Sequence, residues 1–263
     1  MLAMTLSAWL AVTLAGAAPV QTQPPTQSPP AAAAPSPDDA AARQRAAEQK
    51  LLQDWPNFAR YRDDNAKLAP PGKDERRVVF MGDSITDGWG RRTNSFFTGK
   101  PYVNRGISGQ TTPQMLVRFR ADVVALKPAV VVILAGINDI AENTGPTTME
   151  AIEDNLASMC DVASANGIRV VLSSVTPALD FPWRPGKEPA PKVRTLNAWI
   201  KQYAAENGYT YLDYYSALAD TAGGMKAGLA NDGVHPTPEG YAIMAPLAEQ
   251  AIAAALEHKP RKR

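Results

Sequence analysis

Residues 129–134 read Ala-Val-Val-Val-Ile-Leu, six apolar positions in a row. Successive side chains of a strand point to opposite faces, so a strand with one wet face alternates apolar and polar residues. A run that is apolar at every position needs cover on both faces, which is the situation of a central strand in a parallel sheet flanked by helices. Shorter apolar runs predict further strands at Arg77–Met81, Tyr102–Asn104, Arg169–Ser173 and Thr210–Leu212. Longer amphipathic stretches between them predict helices at Thr112–Ala125, Thr148–Ala165 and Pro191–Asn207. This alternation is the pattern of βα units, and it predicts an α/β protein, a three-layer α/β/α sandwich on a parallel sheet of about five strands. A last helix is expected over Ile243–Leu256, with Pro246 at a kink or a fresh start. Thr237-Pro238 reads as the N-cap and first-turn pair of the final helix.

Both ends differ from this core. Residues 1–18 carry no charge, are rich in Ala and Leu, and end in small residues at Ala15, Gly16, Ala17 and Ala18. They are expected to be a signal peptide, although no Lys or Arg precedes the apolar run, so a secreted or periplasmic protein with no stable membrane insertion after cleavage is expected. Residues 19–42 form a Pro/Ala/Gln-rich spacer, too poor in large apolar side chains to offset the entropy of ordering. The folded domain is expected over residues 43–258, entered through a helical stretch that Pro70-Pro71-Gly72 terminates, and residues 259–263 are a basic tail. With 27 basic against 26 acidic residues the formal net charge is +1, so there is no electrostatic case for nucleic acid as a partner. The single cysteine, Cys160, excludes an internal disulfide and a cysteine metal cluster, and its apolar helical setting argues against a catalytic thiol.

In open parallel sheets ligands bind beyond the carboxyl ends of the strands, so the segments that follow each strand carry the chemistry. The first strand runs into Gly82-Asp83-Ser84-Ile85, the second into Asn104-Arg105-Gly106-Ile107-Ser108-Gly109, and the third into Gly136-Ile137-Asn138-Asp139. Asp232-Gly233-Val234-His235 lies near the C-terminus. A serine hydroxyl is a poor nucleophile unless a base takes its proton and an acceptor holds that base in the right tautomer. The chain has two histidines, and His235, unlike His258 in the charged tail, has an aspartate three residues earlier.

These four blocks, in this order over about Arg77–Leu256, resemble the SGNH hydrolases, also called GDSL esterases. The resemblance implies the flavodoxin-like fold of that family and no metal or organic cofactor. It implies Ser84 as nucleophile with Asp232 and His235 completing a triad, and an oxyanion hole made of the Ser84 N–H, Gly106 and Asn138. The sequence departs in reading Ile85 where Leu is usual and Ile137 where Thr is frequent. Asp232 has a competing reading as a turn former, Asn138 as a helix cap, and Asp83 with Asp87 as part of a cation site that nothing else in the sequence completes.

Export and the lack of a long apolar lid-like insertion point to short acyl groups, acetyl esters on carbohydrates among them, with a small-molecule or glycan ester as the partner. A lysophospholipase or lipase, an acyltransferase with the same triad, or a non-catalytic polysaccharide-binding relative are the alternatives. Candidates for the pocket wall are Asp83, Trp89, Ile107, Ile137, Phe181, Trp183 and Val234. Phe181 and Trp183 lie on a Pro-rich loop over residues 177–191 that either walls the cleft or packs its aromatics down, and Trp89 poses the same choice.

Overall fold

In the computed structural model the described residues are 52–92 and 96–258, with 42, 45, 46 and 49. The expected signal peptide, the spacer except Ala42, and the basic tail lie outside them. The expected parallel sheet is present as five strands: β1 (Val78–Gly82), β2 (Tyr102–Gly106), β3 (Val130–Leu134), β4 (Arg169–Ser173) and β5 (Thr210–Leu212). Their spatial order is β2-β1-β3-β4-β5, all pairs parallel. The α-helices from Arg62 onward are α1 (Arg62–Lys67), α2 (Ser84–Arg92), α3 (Thr112–Asp122), α4 (Ile137–Ile140), α5 (Met149–Ala165), α6 (Pro189–Asn207), α7 (Tyr215–Leu218) and α8 (Pro238–Glu257).

The unbroken apolar run of β3 has the two-sided cover that its composition demands. Val131 and Ile133 pack with Met115, Phe119, Leu156 and Leu196 from α3, α5 and α6. Val130, Val132 and Leu134 face the other way, into Ile85, Trp89, Tyr241 and Met244 from α2 and α8. Each such fully buried aliphatic side chain contributes about 1.5–3 kcal/mol of transfer free energy, set against the entropy of ordering it.

Two expectations change. The helical stretch before the sheet does not run on to Pro70. Leu52 and Gln53 are helical, and Trp55-Pro56-Asn57 then breaks the helix, with Asn57 in the left-handed region at φ 57°. The Asp54 carboxylate accepts from the N–H groups of Phe58 and Ala59 at 2.8 and 2.9 Å, restarting the chain as a 3₁₀ turn. At the other end the expected cap is present, the Thr237 side chain accepting from Gly240 N–H at 3.2 Å, so α8 starts at Pro238 and not at Ile243 and runs through Pro246 without a fresh start. Pro246 and Ala242, four residues before it, are both exposed, so the carbonyl that loses its helical donor faces water.

The strand order places the functional end. From β1 the chain steps outward to β2, then returns past β1 to β3, so the connections leaving β1 and β3 part company at the carboxyl edge of the sheet. That reversal is the topological switch point at which open α/β sheets hold ligands.

Candidate active site

β1 ends at Gly82, and Ser84 is the first residue of α2. Its N–H is therefore among the first-turn donors that have no partner within the helix. Ser84 Oγ lies 2.9 Å from His235 Nε2, and His235 Nδ1 lies 2.6 Å from Asp232 Oδ2. Asp232 Oδ1 accepts from the backbone N–H groups of Val234 and His235 at 3.0 and 2.8 Å, which folds the Asp232–His235 turn onto its own carboxylate. Partial burial raises the Asp232 pKa, but the hydrogen bonds from His235 and Val234 and the facing imidazole outweigh it and hold the carboxyl below the usual range. An ionised Asp232 can only accept, so His235 Nδ1 carries the proton it donates and Nε2 is left to accept from the serine hydroxyl. Serine, imidazole and carboxylate thus form the linear relay that activates a hydroxyl for attack on a carbonyl.

The serine and histidine open onto a cleft of about 510 Å³ whose other walls include Gly88, Arg91, Ser108, Gly109, Asn138, Asn143 and Trp183. Asn138 comes from α4, entered through Gly136 at φ 118°, a conformation that favours glycine. Its side chain is fixed from two sides: Nδ2 donates to the Gln110 carbonyl at 3.0 Å, and Oδ1 accepts from Asn143 Nδ2 at 2.8 Å. One N–H of the Asn138 amide is thereby left over from these two bonds. Asn143 also donates to the Gly109 carbonyl at 3.2 Å and accepts from Trp183 Nε1 at 3.1 Å. The indole of Trp183 stands 5.7 Å from the imidazole of His235, centroid to centroid.

The expected oxyanion role of Gly106 does not fit its position. Its N–H already donates to Asn104 Oδ1 at 2.9 Å, and a Cβ there would meet the backbone N of Asp87 at 2.2 Å. Glycine is needed at 106 because the end of β2 packs directly on the first turn of α2. Parallel pairing extends one residue further, with Ile107 N–H donating to Gly82 O at 3.0 Å, so Ser108 and Gly109 are the first residues to leave the sheet. Gly109, not Gly106, lines the cleft.

Of the expected wall residues, Trp183 lines the cleft and Ile107 lines a recess beside it. The other five point into the core. Trp89 is stacked between Phe96 and Tyr241, at 4.3 and 5.3 Å. Ile137, Phe181 and Val234 sit in the core cluster on the α3, α5 and α6 side of the sheet. Phe181 there backs the Trp183 ring at 5.2 Å, and Val234 anchors the turn that presents His235. Ser108 donates to Asp87 Oδ2 at 2.7 Å, an acceptor that also holds Arg91 at 2.8 Å.

Asp83 is fully buried beneath the serine. Its Oδ1 accepts from Ile85 N–H at 2.9 Å, and its Oδ2 has no hydrogen-bond partner among the described residues. Burial pushes its carboxyl up to about 7, with Asp139 and Asp87 adding to the rise and the Ile85 N–H opposing it. The folded state therefore keeps a proton that the unfolded chain gives up near pH ~3.9. This carboxyl costs stability progressively as pH rises from about 4 to about 7, and the full cost persists above that. Asp83→Asn keeps the acceptor for Ile85 and cannot ionise. Compared by thermal unfolding with the wild type, it is expected to shift Tm upward at pH 8 relative to the shift at pH 4.5. A shift of equal size at the two pH values would show that Asp83 does not titrate in this window.

Comparison with known proteins agrees with this fold. The family profile described as GDSL-like lipase/acylhydrolase matches residues 80–243. A solved GDSL-like lipase from Bacteroides thetaiotaomicron is 49% identical and superposes with a TM-score of 0.74 over 76% of this chain and 98% of its own. An acetylxylan esterase of Geobacillus stearothermophilus is 28% identical over 203 residues, 64% of this chain and 90% of that protein. Esterase TesA of Pseudomonas aeruginosa is 29% identical over 171 residues, 60% of this chain and 79% of that protein. With a family match over more than half its length on a five-stranded sheet of the expected kind, the chain belongs to the GDSL-like lipase/acylhydrolase family, the SGNH hydrolases, and is a carboxylic ester hydrolase.

Proposed function

We propose that the protein is an exported esterase that removes short acyl groups, chiefly acetyl, from carbohydrates through an acyl-enzyme on Ser84. The observation that carries the mechanism is the continuous relay Ser84–His235–Asp232, with contacts of 2.9 and 2.6 Å at the mouth of the cleft. Ser84 Oγ attacks the ester carbonyl carbon while its proton passes to His235 Nε2. Collapse of the tetrahedral intermediate breaks the bond to the alcohol oxygen, which takes that proton as it leaves. A water molecule, deprotonated by His235, then attacks the acyl-enzyme, and the carboxylic acid departs as Ser84 recovers its proton. The oxyanion formed in each half is received by the backbone N–H groups of Ser84 and Gly109 and by the Asn138 amide. One such donor is worth about 3–4 kcal/mol of transition-state stabilisation.

The preference for short acyl groups and sugar alcohols is supported by the cleft itself, whose walls carry Ser108, Asn138, Asn143 and Arg91. A long acyl chain gains about 0.8 kcal/mol per methylene only along apolar wall, and these four side chains supply hydrogen-bonding groups instead. The name of the acetylxylan esterase relative points the same way. Export is supported by the uncharged, Ala- and Leu-rich residues 1–18 with their terminal small residues. Among the described residues no helix is long and apolar enough to cross a membrane.

The test is a p-nitrophenyl ester series from acetate to laurate beside acetylated xylo-oligosaccharides. Expected is a kcat/KM that is highest for acetate and for the sugar acetates and falls with each added pair of methylenes. Rates that climb beyond about eight carbons, following the gain per methylene of an apolar tunnel, would replace this reading with a lipase or lysophospholipase.

A further inference from the structure

Four residues of the catalytic cleft, Ser108, Gly109, Asn143 and Trp183, have a second side. They also line a recess of about 450 Å³ whose far wall is Trp55, on the segment that precedes the sheet. Trp55 and Trp183 are 38% and 40% exposed, whereas Trp89 is buried in the core. Exposed indoles rimmed by polar side chains mark binding surfaces, because an apolar ring face left in water gains free energy from any partner that covers it.

The backbone that carries Trp55 and the Trp183 indole itself are held in place. The Trp55 backbone carbonyl accepts from Gln114 Nε2 and that of Pro56 from Gln110 Nε2, each at 2.7 Å. The Asp54 carboxylate closes the turn that carries Trp55. Trp183 is fixed by its bond to Asn143 Oδ1 and by the buried Phe181 ring behind it. Such platforms lose little conformational entropy when a ligand settles on them.

The remaining lining separates two kinds of occupant. Asp54, Asn57 and Thr144 border the recess, and Asn57 Oδ1 is buried with no hydrogen-bond partner among the described residues. Asp54 and Thr144 already pair with Phe58, Ala59 and Thr111, and a saturated acyl chain, which could lie along Ile107 and the indoles, would offer these polar side chains no further hydrogen bond. A pyranose has C–H faces for the indoles and hydroxyls for the polar side chains at the rim. We propose that this recess is a glycan subsite, in which Trp55 stacks on the sugar next to the acylated one while the ester lies at Ser84. The proposal rests on the carbohydrate-ester reading and adds to it a requirement for at least two linked sugars. Trp55 lies outside the family match, which begins at residue 80, so the subsite is built by a segment that the shared hydrolase core does not include.

The test compares kcat/KM for acetylated xylotriose, acetylated xylose and p-nitrophenyl acetate in wild type, Trp55→Ala and Trp55→Phe. Expected is a trisaccharide-to-monosaccharide ratio of ten or more in the wild type, falling toward one in Trp55→Ala and largely kept in Trp55→Phe. Ratios within one preparation cancel any difference in folded fraction. A wild type that prefers the trisaccharide, with the ratio unchanged in Trp55→Ala, overturns the subsite and leaves the carbohydrate reading standing. A wild type that turns over the aryl acetate and neither sugar acetate overturns both.

Discussion

Replacing Ser84 by alanine is expected to lower kcat on p-nitrophenyl acetate by about 10⁶-fold, to the residual rate that an oxyanion hole and binding alone sustain. The size follows from what is deleted. The hydroxyl is the atom that bonds to the carbonyl carbon, and once it is gone no acyl-enzyme forms. The fold has little reason to change, because the hydrogen bond from Oγ to His235 is the contact the side chain makes at the cleft, and alanine is at least as good a helix former at the start of α2. The measurement is a steady-state rate with an active-site titration, since an acyl-enzyme whose deacylation is the slower step gives a burst of p-nitrophenol equal to the enzyme concentration in the wild type and none in the variant. Equal rates for the two proteins would remove Ser84 as nucleophile and leave the relay without a role.

The sheet was legible in the sequence because burial on both faces leaves a one-dimensional trace: β3 is apolar at every position and contacts helices on both sides. Ser84, His235 and Asp232 were legible because their residue types are chemically constrained and histidine is scarce. Which glycine lines the cleft was not legible, because it depends on where β2 stops pairing. The bond from Ile107 N–H to Gly82 O carries the ladder past Gly106, and that single bond decides that Gly109 and not Gly106 reaches the cleft.

The pocket wall was misread for a reason the sequence did contain. Ser84, Gly88 and Arg91 are spaced four and seven residues apart on α2 and share the face that lines the cleft, whereas Trp89 lies four residues after Ile85 and shares its buried face. Helical spacing settles the choice that Trp89 posed. Asn143 and Trp55 left no such trace. Their positions depend on long-range contacts, Asn143 to Gly109 and Trp183, and the Trp55 segment to Gln110 and Gln114.

Asp232→Asn is expected to reduce kcat by about 10⁴-fold with little change in KM, a larger loss than Asp232→Ala. The ordering comes from the turn. The N–H groups of Val234 and His235 both donate to Asp232 Oδ1, so an asparagine must put its oxygen there and its NH₂ where Oδ2 now lies, 2.6 Å from His235 Nδ1. Two donors cannot face each other, so Nδ1 becomes the acceptor and the ring proton moves to Nε2, the nitrogen that must accept from Ser84. Alanine imposes no such tautomer. The Asp232 side chain is 36% exposed, and water can take its place as acceptor for Nδ1–H. The same carboxyl also links stability to pH. Its folded pKa is held below the ordinary value, so what it contributes is present above about pH 4 and is lost as pH falls through the depressed folded value. A ten-fold or smaller loss in Asp232→Asn, or an alanine variant slower than the asparagine one, would reduce Asp232 to the turn former that its sequence context also allows.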